Sequence, residues 1–186
     1  MNNNVCIITS AHPVFDPRIF KKQAVSIKNA GYNVQLLAQH RRNEVVDGVE
    51  IIGFKKPISR VKRMFILSYQ MIVVALKQRA DIYHLHDPEL LPWCILLKIV
   101  SRKAIIFDFH ENVKKDIGSR YYIHPSFKIY ITKLYSVVER ISLKYIDHII
   151  LAEDSYRKDY NFTNSSLIHN YPIIQPEITK STDKLL

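Results

Sequence analysis

Apolar residues along the chain come in two rhythms, short unbroken runs and longer stripes at helical spacing, and the two alternate. Val5 to Thr9 (VCIIT), Asn33 to Ala38 (NVQLLA), Val49 to Phe54 (VEIIGF), Ile82 to Leu85, Ala104 to Phe109 (AIIFDF) and His148 to Ala152 (HIILA) are the runs. Such runs suit parallel strands buried on both faces, and Leu167 to His169 is expected to add a short seventh. Between them, a helix is predicted from about Arg18 to Ala30, with Phe20, Ala24 and Ile27 on one face. Asp16 caps it, Pro17 takes its first position and Gly31 closes it. A second helix, from about Ser59 to Ala80, is apolar on two sides, so it is buried twice or meets something apolar outside the domain. A third covers Leu91 to Val100. A long one opens at Pro125 with Phe127, Ile131, Leu134, Val138 and Ile141 at spacings of four and three, and a short one covers Asp154 to Tyr160. Ser10 to Phe15, His40 to Gly48 and Asn112 to His124 read as loops.

Strands alternating with helices, with hardly a hairpin signal, place the chain in the α/β class. The expected architecture is a doubly wound parallel sheet in a Rossmann-like three-layer sandwich. Residues 1–172 are expected to form one domain and 173–186 a linker or tail. A content of 47% hydrophobic and 24% charged residues excludes disorder as the main state. Cys6 and Cys94 each lie inside an apolar run, which suits buried thiols in a reducing compartment and leaves no cysteine zinc site. No basic residue precedes the first apolar run, and the longest apolar-rich stretch, Met64 to Leu76, falls short of the roughly 20 residues a membrane span needs. A cytoplasmic protein, at most peripheral at the inner face of a membrane, is therefore expected.

Charge changes this picture. The net charge is +10, and up to Arg63 eleven bases face four acids. Such an imbalance suits nucleic acid, an anionic membrane leaflet or a phosphorylated ligand. No nucleic-acid-binding motif is present and the aromatics do not interleave with the bases, so no nucleic-acid partner is expected. A membrane surface or an anionic ligand is favoured.

The loop after the first strand, Ser10 to Asp16, has no glycine. The dinucleotide fingerprint and the P-loop are both absent, which argues against NAD and ATP. Two readings stand for the turn at Asp16, Pro17 and Arg18: a modest anion site at the helix N-terminus, or Asp16 capping while Arg18 pairs with a carboxylate. His84 and His86 lie two apart on a strand and share a face. Zinc there would need a third ligand such as Asp87, and no metal is expected. Adjacent parallel strands would bring His86 and Asp87 together with His110 and Glu111 around one crevice. That cluster is either a functional site or an internal polar network holding the loops.

His12 to Ala24 (HPVFDPRIFKKQA) and Ala30 to Val34 (AGYNV) resemble the opening of family 4 glycosyltransferases of the GT-B fold. Asp81 to Pro92 (DIYHLHDPELLP) and Phe107 to Glu111 (FDFHE) resemble the same family's amino-terminal half, in order and spacing. The resemblance runs from Val5 to about Pro172. It implies a retaining transfer of sugar from a nucleotide-sugar donor to an acceptor, often in bacterial surface-polysaccharide assembly. The amino-terminal domain would hold the acceptor, a glycan or a lipid-linked molecule. The histidine at the position of His110 would reach the donor sugar and act as the catalytic residue. The loop carrying His12 and Asp16 would approach the diphosphate and acceptor, while His86 and Asp87 shape the acceptor side. Arg18 and Glu111 complete the expected substrate-binding set. No cofactor or metal is implied, since the nucleotide sugar is a co-substrate.

The family's second domain, which grips the nucleotide with paired glutamates, cannot be assigned, because Asn170-Tyr171-Pro172 resembles the linker into it. Half of a two-sided site cannot stabilise a departing diphosphate, so these residues alone are expected to be nearly inactive and to need a separate donor-binding domain or subunit. Two other readings remain open: a non-catalytic module docking a partner protein or membrane, and half of a nucleotide-sugar epimerase.

Overall fold

The computed structural model describes residues 3–110, 113–119, 121, 124–156 and 164–171. Eight strands form one sheet in the order β3-β4-β2-β1-β5-β6-β7-β8, parallel except at β3. They are β1 (Asn4–Pro13), β2 (Asn33–Gln39), β3 (Glu44–Val46), β4 (Val49–Phe54), β5 (Ile82–Leu85), β6 (Ala104–Phe109), β7 (His148–Leu151) and β8 (Ser165–Leu167). The chain is thus an α/β protein with a Rossmann-like sheet, as the alternation of runs and stripes predicts.

The pleat sorts β1 between two cores. Val5 and Ile7 join Val34, Leu36, Val49 and Ile51 under helix α1, whose segments are Pro17–Ala24 and Val25–Asn29 and whose Ile19, Phe20 and Ala24 fill that side. Cys6 and Ile8 join the larger core on the other face. There helix α2 (Arg60–Lys62, Arg63–Leu67 and Ser68–Lys77), helix α3 (Leu91–Ser101) and helix α5 (Pro125–Leu143) lie side by side. Helix α4 (Val113–Ser119) packs on α5. Among the described residues, α1 is the helix on the first face. The segments Pro17–Ala24 and Arg63–Leu67 are wound as wide π-helical turns, which recur near functional sites.

Four elements differ from the sequence reading, the first being helix α4, Val113–Ser119, which lies inside the stretch of residues 112–124 read as a loop. The predicted loop of residues 40–48 contains β3, paired antiparallel with β4 through a two-residue turn. Asp47 and Gly48 both have positive φ (50° and 75°), the conformation of a type I′ hairpin, and Asp-Gly is its preferred sequence. The seventh expected strand sits two residues earlier, at Ser165–Leu167, because its backbone pairs with Ile149–Leu151. The loop predicted after Thr9 is still strand as far as Pro13, but five steps along β1 from Ile8 to Pro13 match two along β2 from Leu37 to Gln39. This bulge throws residues 9–12 outward at the carboxyl end of the sheet. The helix expected over Asp154 to Tyr160 lies largely outside the described residues. No helix among the described residues is long and apolar enough to cross a membrane.

Candidate functional site

Parallel strands open a crevice at their carboxyl ends, and β1, β5 and β6 end side by side. The bulge of β1 is held there by one carboxylate. Asp87, just past β5 and 1% exposed, accepts hydrogen bonds at Oδ2 from the Thr9 hydroxyl (2.9 Å), the Ser10 amide (2.5 Å) and the Ala11 amide (3.1 Å). Its Oδ1 lies 2.7 Å from His12 Nδ1. Burial pushes this carboxyl up, but the His12 contact and the two amides outweigh it and hold it at about 2. Asp87 is therefore ionised and orients His12, whose side chain is 23% exposed at the crevice.

A second carboxylate anchors the other wall. Asp108, inside β6 and fully buried, receives the Arg18 guanidinium as a two-pronged fork, Nε at 3.0 Å and Nη2 at 2.7 Å, and also the Gln23 amide. Burial raises the Asp108 carboxyl, and His110, His86 and Arg18 together pull it well below the usual carboxylate range. Arg18 is itself buried, and Asp16 Oδ1 accepts from the Arg18 and Ile19 amides at 2.9 and 3.0 Å. Of the two readings of that turn, the geometry matches the second: Asp16 caps, and Arg18 pairs across the sheet.

Four histidines run from this buried pair to the surface. The His84 and His86 ring centroids are 4.4 Å apart, His86 and His110 are 6.3 Å apart, and His110 and His12 are 5.2 Å apart. His84 Nε2 and both ring nitrogens of His86 are buried without a hydrogen-bond partner. Burial holds His84 at about 4 and His86 well below its ordinary range, so both are neutral at pH 7. His110 is different. Its Nδ1 lies 3.1 Å from the Asp108 carbonyl oxygen, which can only accept, so Nδ1 carries a proton. Burial pushes His110 down, but the Asp108 carboxylate outweighs it and the net shift is upward. The Tyr156 hydroxyl donates to the His110 carbonyl oxygen at 3.0 Å and fixes the backbone there.

The structure thus brings together His12, His86, Asp87 and His110, with Arg18 joined to them through Asp108. Asp16 is occupied at its own helix, and Glu111 lies outside the described residues. Asp108, Gln23 and Tyr156 were not singled out in the sequence. A lone aspartate in the apolar run AIIFDF is a legible signal for Asp108, because a buried charge demands a partner. Gln23 and Tyr156 carry no such signal. His84, His86 and Asp108 place ligand atoms within 4.8 Å of one another, a set that could hold a metal ion. The third group is Asp108 rather than the Asp87 considered from sequence. A cation there would share its carboxylate with the Arg18 guanidinium, which works against binding.

Beside this knot the sheet edge opens. A cleft of about 870 Å³ lies at the ends of β1, β2 and β4, bounded by Ala11, Gln39 and the start of α2. Its charged lining is entirely basic, Arg41, Lys55, Lys56, Arg60 and Arg63, with His40 beside them. Gly53 lets the 40–42 segment approach, since a Cβ there would meet the Arg42 carbonyl oxygen at 2.6 Å.

No known protein family matches the chain by its sequence, and no curated protein matches it. Among solved structures, it is similar to sucrose-phosphate synthase from Thermosynechococcus elongatus, with a TM-score of 0.61 at 14% identity. The match covers 90% of this chain and 48% of that one, so the chain spans about half the length of that structure. At that identity the likeness speaks for the fold alone: the chain has a Rossmann-like α/β fold, shared with that structure over most of its length.

Proposed function

We infer that the chain is the acceptor-side domain of a retaining glycosyltransferase, moving a sugar from a nucleotide-sugar donor to a glycan or lipid-linked acceptor in the cytoplasm. The observation that carries this reading is the convergence of His12, held by the buried Asp87 carboxylate, and His110, held by the Asp108 carbonyl oxygen with the Asp108 carboxylate 3.8 Å away, at the carboxyl ends of β1 and β6. A neighbour with glycosyltransferase architecture over most of the chain supports it.

His110 is the group placed to meet the donor. Its protonated Nδ1 is tied back to Asp108, which leaves Nε2 as the nitrogen available to a sugar hydroxyl or phosphoryl oxygen. The upward shift favours the cationic form, which donates at both nitrogens. Asp87 and Asp108 sit too deep to touch a substrate and act as positioning residues for His12 and His110. The opposite wall, which neutralises the leaving diphosphate, belongs to a donor-binding domain, and these 186 residues alone turn over slowly.

The test uses the chain assembled with its donor-binding domain. A nucleotide sugar should raise the melting temperature of the assembly, and His110→Ala should lower kcat at least a hundredfold while leaving the melting temperature of the chain nearly unchanged. An unchanged kcat would remove His110 from the chemistry. Steady sugar transfer by the chain alone would overturn its dependence on a second domain.

A further inference from the structure

Helix α5 is turned with an apolar stripe towards water. Its Tyr135, Glu139, Ser142 and Leu143 face the domain, where Tyr135 and Leu143 pack on the larger core and Glu139 is buried against Lys114. On the other side Phe127, Tyr130, Leu134, Val137 and Ile141 are 65%, 70%, 68%, 56% and 46% exposed. Their spacing of three, four, three and four keeps them on one face for about 21 Å of helix. An exposed apolar surface of that extent marks a place where something else docks.

The charges on this helix have one sign outside and the other inside. Glu139 is the only acid of α5, and it is buried. Lys133 and Arg140 stand exposed along one shoulder of the stripe, and neither has an ion-pair partner among the described residues. Together with Ile129 and Val137 they line an open groove of about 590 Å³. Cations and apolar side chains therefore share one surface, and Val137 belongs to both the groove and the stripe. Lys128, in the same groove, donates to the Gly118 carbonyl oxygen at 2.8 Å and is held to the domain.

We propose that α5 is the face by which the domain lies on an anionic phospholipid leaflet, with the Phe127 to Ile141 stripe at the level of the first acyl carbons and Lys133 and Arg140 among the lipid phosphates. No helix among the described residues is long and apolar enough to cross a membrane, so α5 lies along the surface. A second copy of the chain fits worse. Packed antiparallel across the stripe, it sets Lys133 and Arg140 against the same cations, and packed parallel it sets them against Ile131 and Val138. One partner helix also fits worse, because Ile129 and Ile131 are exposed as well. They spread the apolar surface over about 200° around the axis, wider than the seam a single helix covers. This face lies outside the basic first third of the chain, and its role does not depend on sugar transfer.

The full 186-residue chain is floated with vesicles of equal parts phosphatidylglycerol and phosphatidylcholine, with no nucleotide sugar present. It should rise with these vesicles and bind pure phosphatidylcholine at least tenfold more weakly. Leu134→Asp with Val137→Asp, and separately Lys133→Glu with Arg140→Glu, should each weaken binding at least tenfold. The melting temperature should stay unchanged, since all four side chains are exposed. Cys6 and Cys94 are buried, so a Tyr130→Cys variant can be labelled at that position alone with an environment-sensitive fluorophore, which should brighten on anionic vesicles. No flotation, equal binding to neutral vesicles, or a label that stays dim on bound vesicles would overturn the proposal. So would binding that survives both α5 variants and is lost with Lys55→Glu and Lys56→Glu, which would move the contact to the basic first third. Self-association in sedimentation that Leu134→Asp abolishes, without flotation, would give the face to a second copy instead.

Discussion

Two neighbouring stretches of the same sheet edge solve the problem of charge in opposite ways. At β5 and β6 the charged groups are buried and compensated: Arg18 forks onto Asp108, and Asp87 is met by two amides, a hydroxyl and His12. At β1, β2 and β4, Arg41, Lys55, Lys56 and Arg60 stand around an open cleft with no ion-pair partner among the described residues. The difference separates roles. A buried ion pair holds shape, because removing either member strands the other in low dielectric. An exposed cluster of one sign adds nothing to the fold and is maintained only by what it binds.

The sharpest way to break the comparison is to unpair the knot. Asp108→Asn leaves Arg18 buried without a counter-charge and should lower unfolding stability by about 3–5 kcal/mol in urea titrations. A loss below about 1 kcal/mol would show that the knot is not structural. Asp87→Ala should cost roughly 1–3 kcal/mol, because the Ser10 and Ala11 amides and the Thr9 hydroxyl lose their acceptor. It should also loosen the β1 bulge, seen as faster amide exchange at residues 10–12.

Acid titration sharpens the contrast further. His84 is held at about 4, below its ordinary 6.5. Between those values the unfolded chain binds a proton that the native chain refuses. Stability should therefore be lost as pH falls from about 6.5 towards 4, by roughly 1.4 kcal/mol per pH unit for this one histidine. His86 is lowered in the same direction and adds to the loss. His110, raised instead, contributes stability below 6.5 that fades as pH climbs through its native value. Urea unfolding across pH 4–8 measures the net slope, and His84→Gln should flatten it at the acid end. A slope the same in wild type and variant would mean that His84 titrates normally in the fold.

The smallest effect on stability is expected in the cleft. Lys55→Glu should change unfolding stability by no more than about 0.5 kcal/mol, since its side chain is exposed and has no ion-pair partner among the described residues. A larger loss would mean that the cations belong to the fold rather than to a ligand.

How far the chain could be read depended on how local each feature is. Val5 to Thr9 declares a buried strand because every residue in it is apolar or small, and Asp16-Pro17 declares a helix start because a cap and a fixed φ are properties of adjacent residues. The Asp47-Gly48 hairpin was equally local, but β3 is only three residues long and follows Arg41, Arg42 and Asn43, which masked it. The site was legible only in part. His86, Asp87 and His110 stand at strand ends, where chemistry gathers in parallel sheets, whereas Gln23 and Tyr156 meet the cluster from 85 and 46 residues away in sequence.

The sequence by itself determined that this is an α/β protein with a parallel sheet, where most of its strands lie, and that its first third is strongly basic, because burial patterns and composition are carried by neighbouring residues. Only the tertiary structure decided which charges cancel. Arg18 and Asp108 lie 90 residues apart and pair in the core, while Arg41 and Lys55, which carry the same sign of charge as Arg18, are set by a bulge, a hairpin and a close-packed glycine around an open hollow. Charge is a property of residues, but compensation is a property of distance, and the fold sets distance.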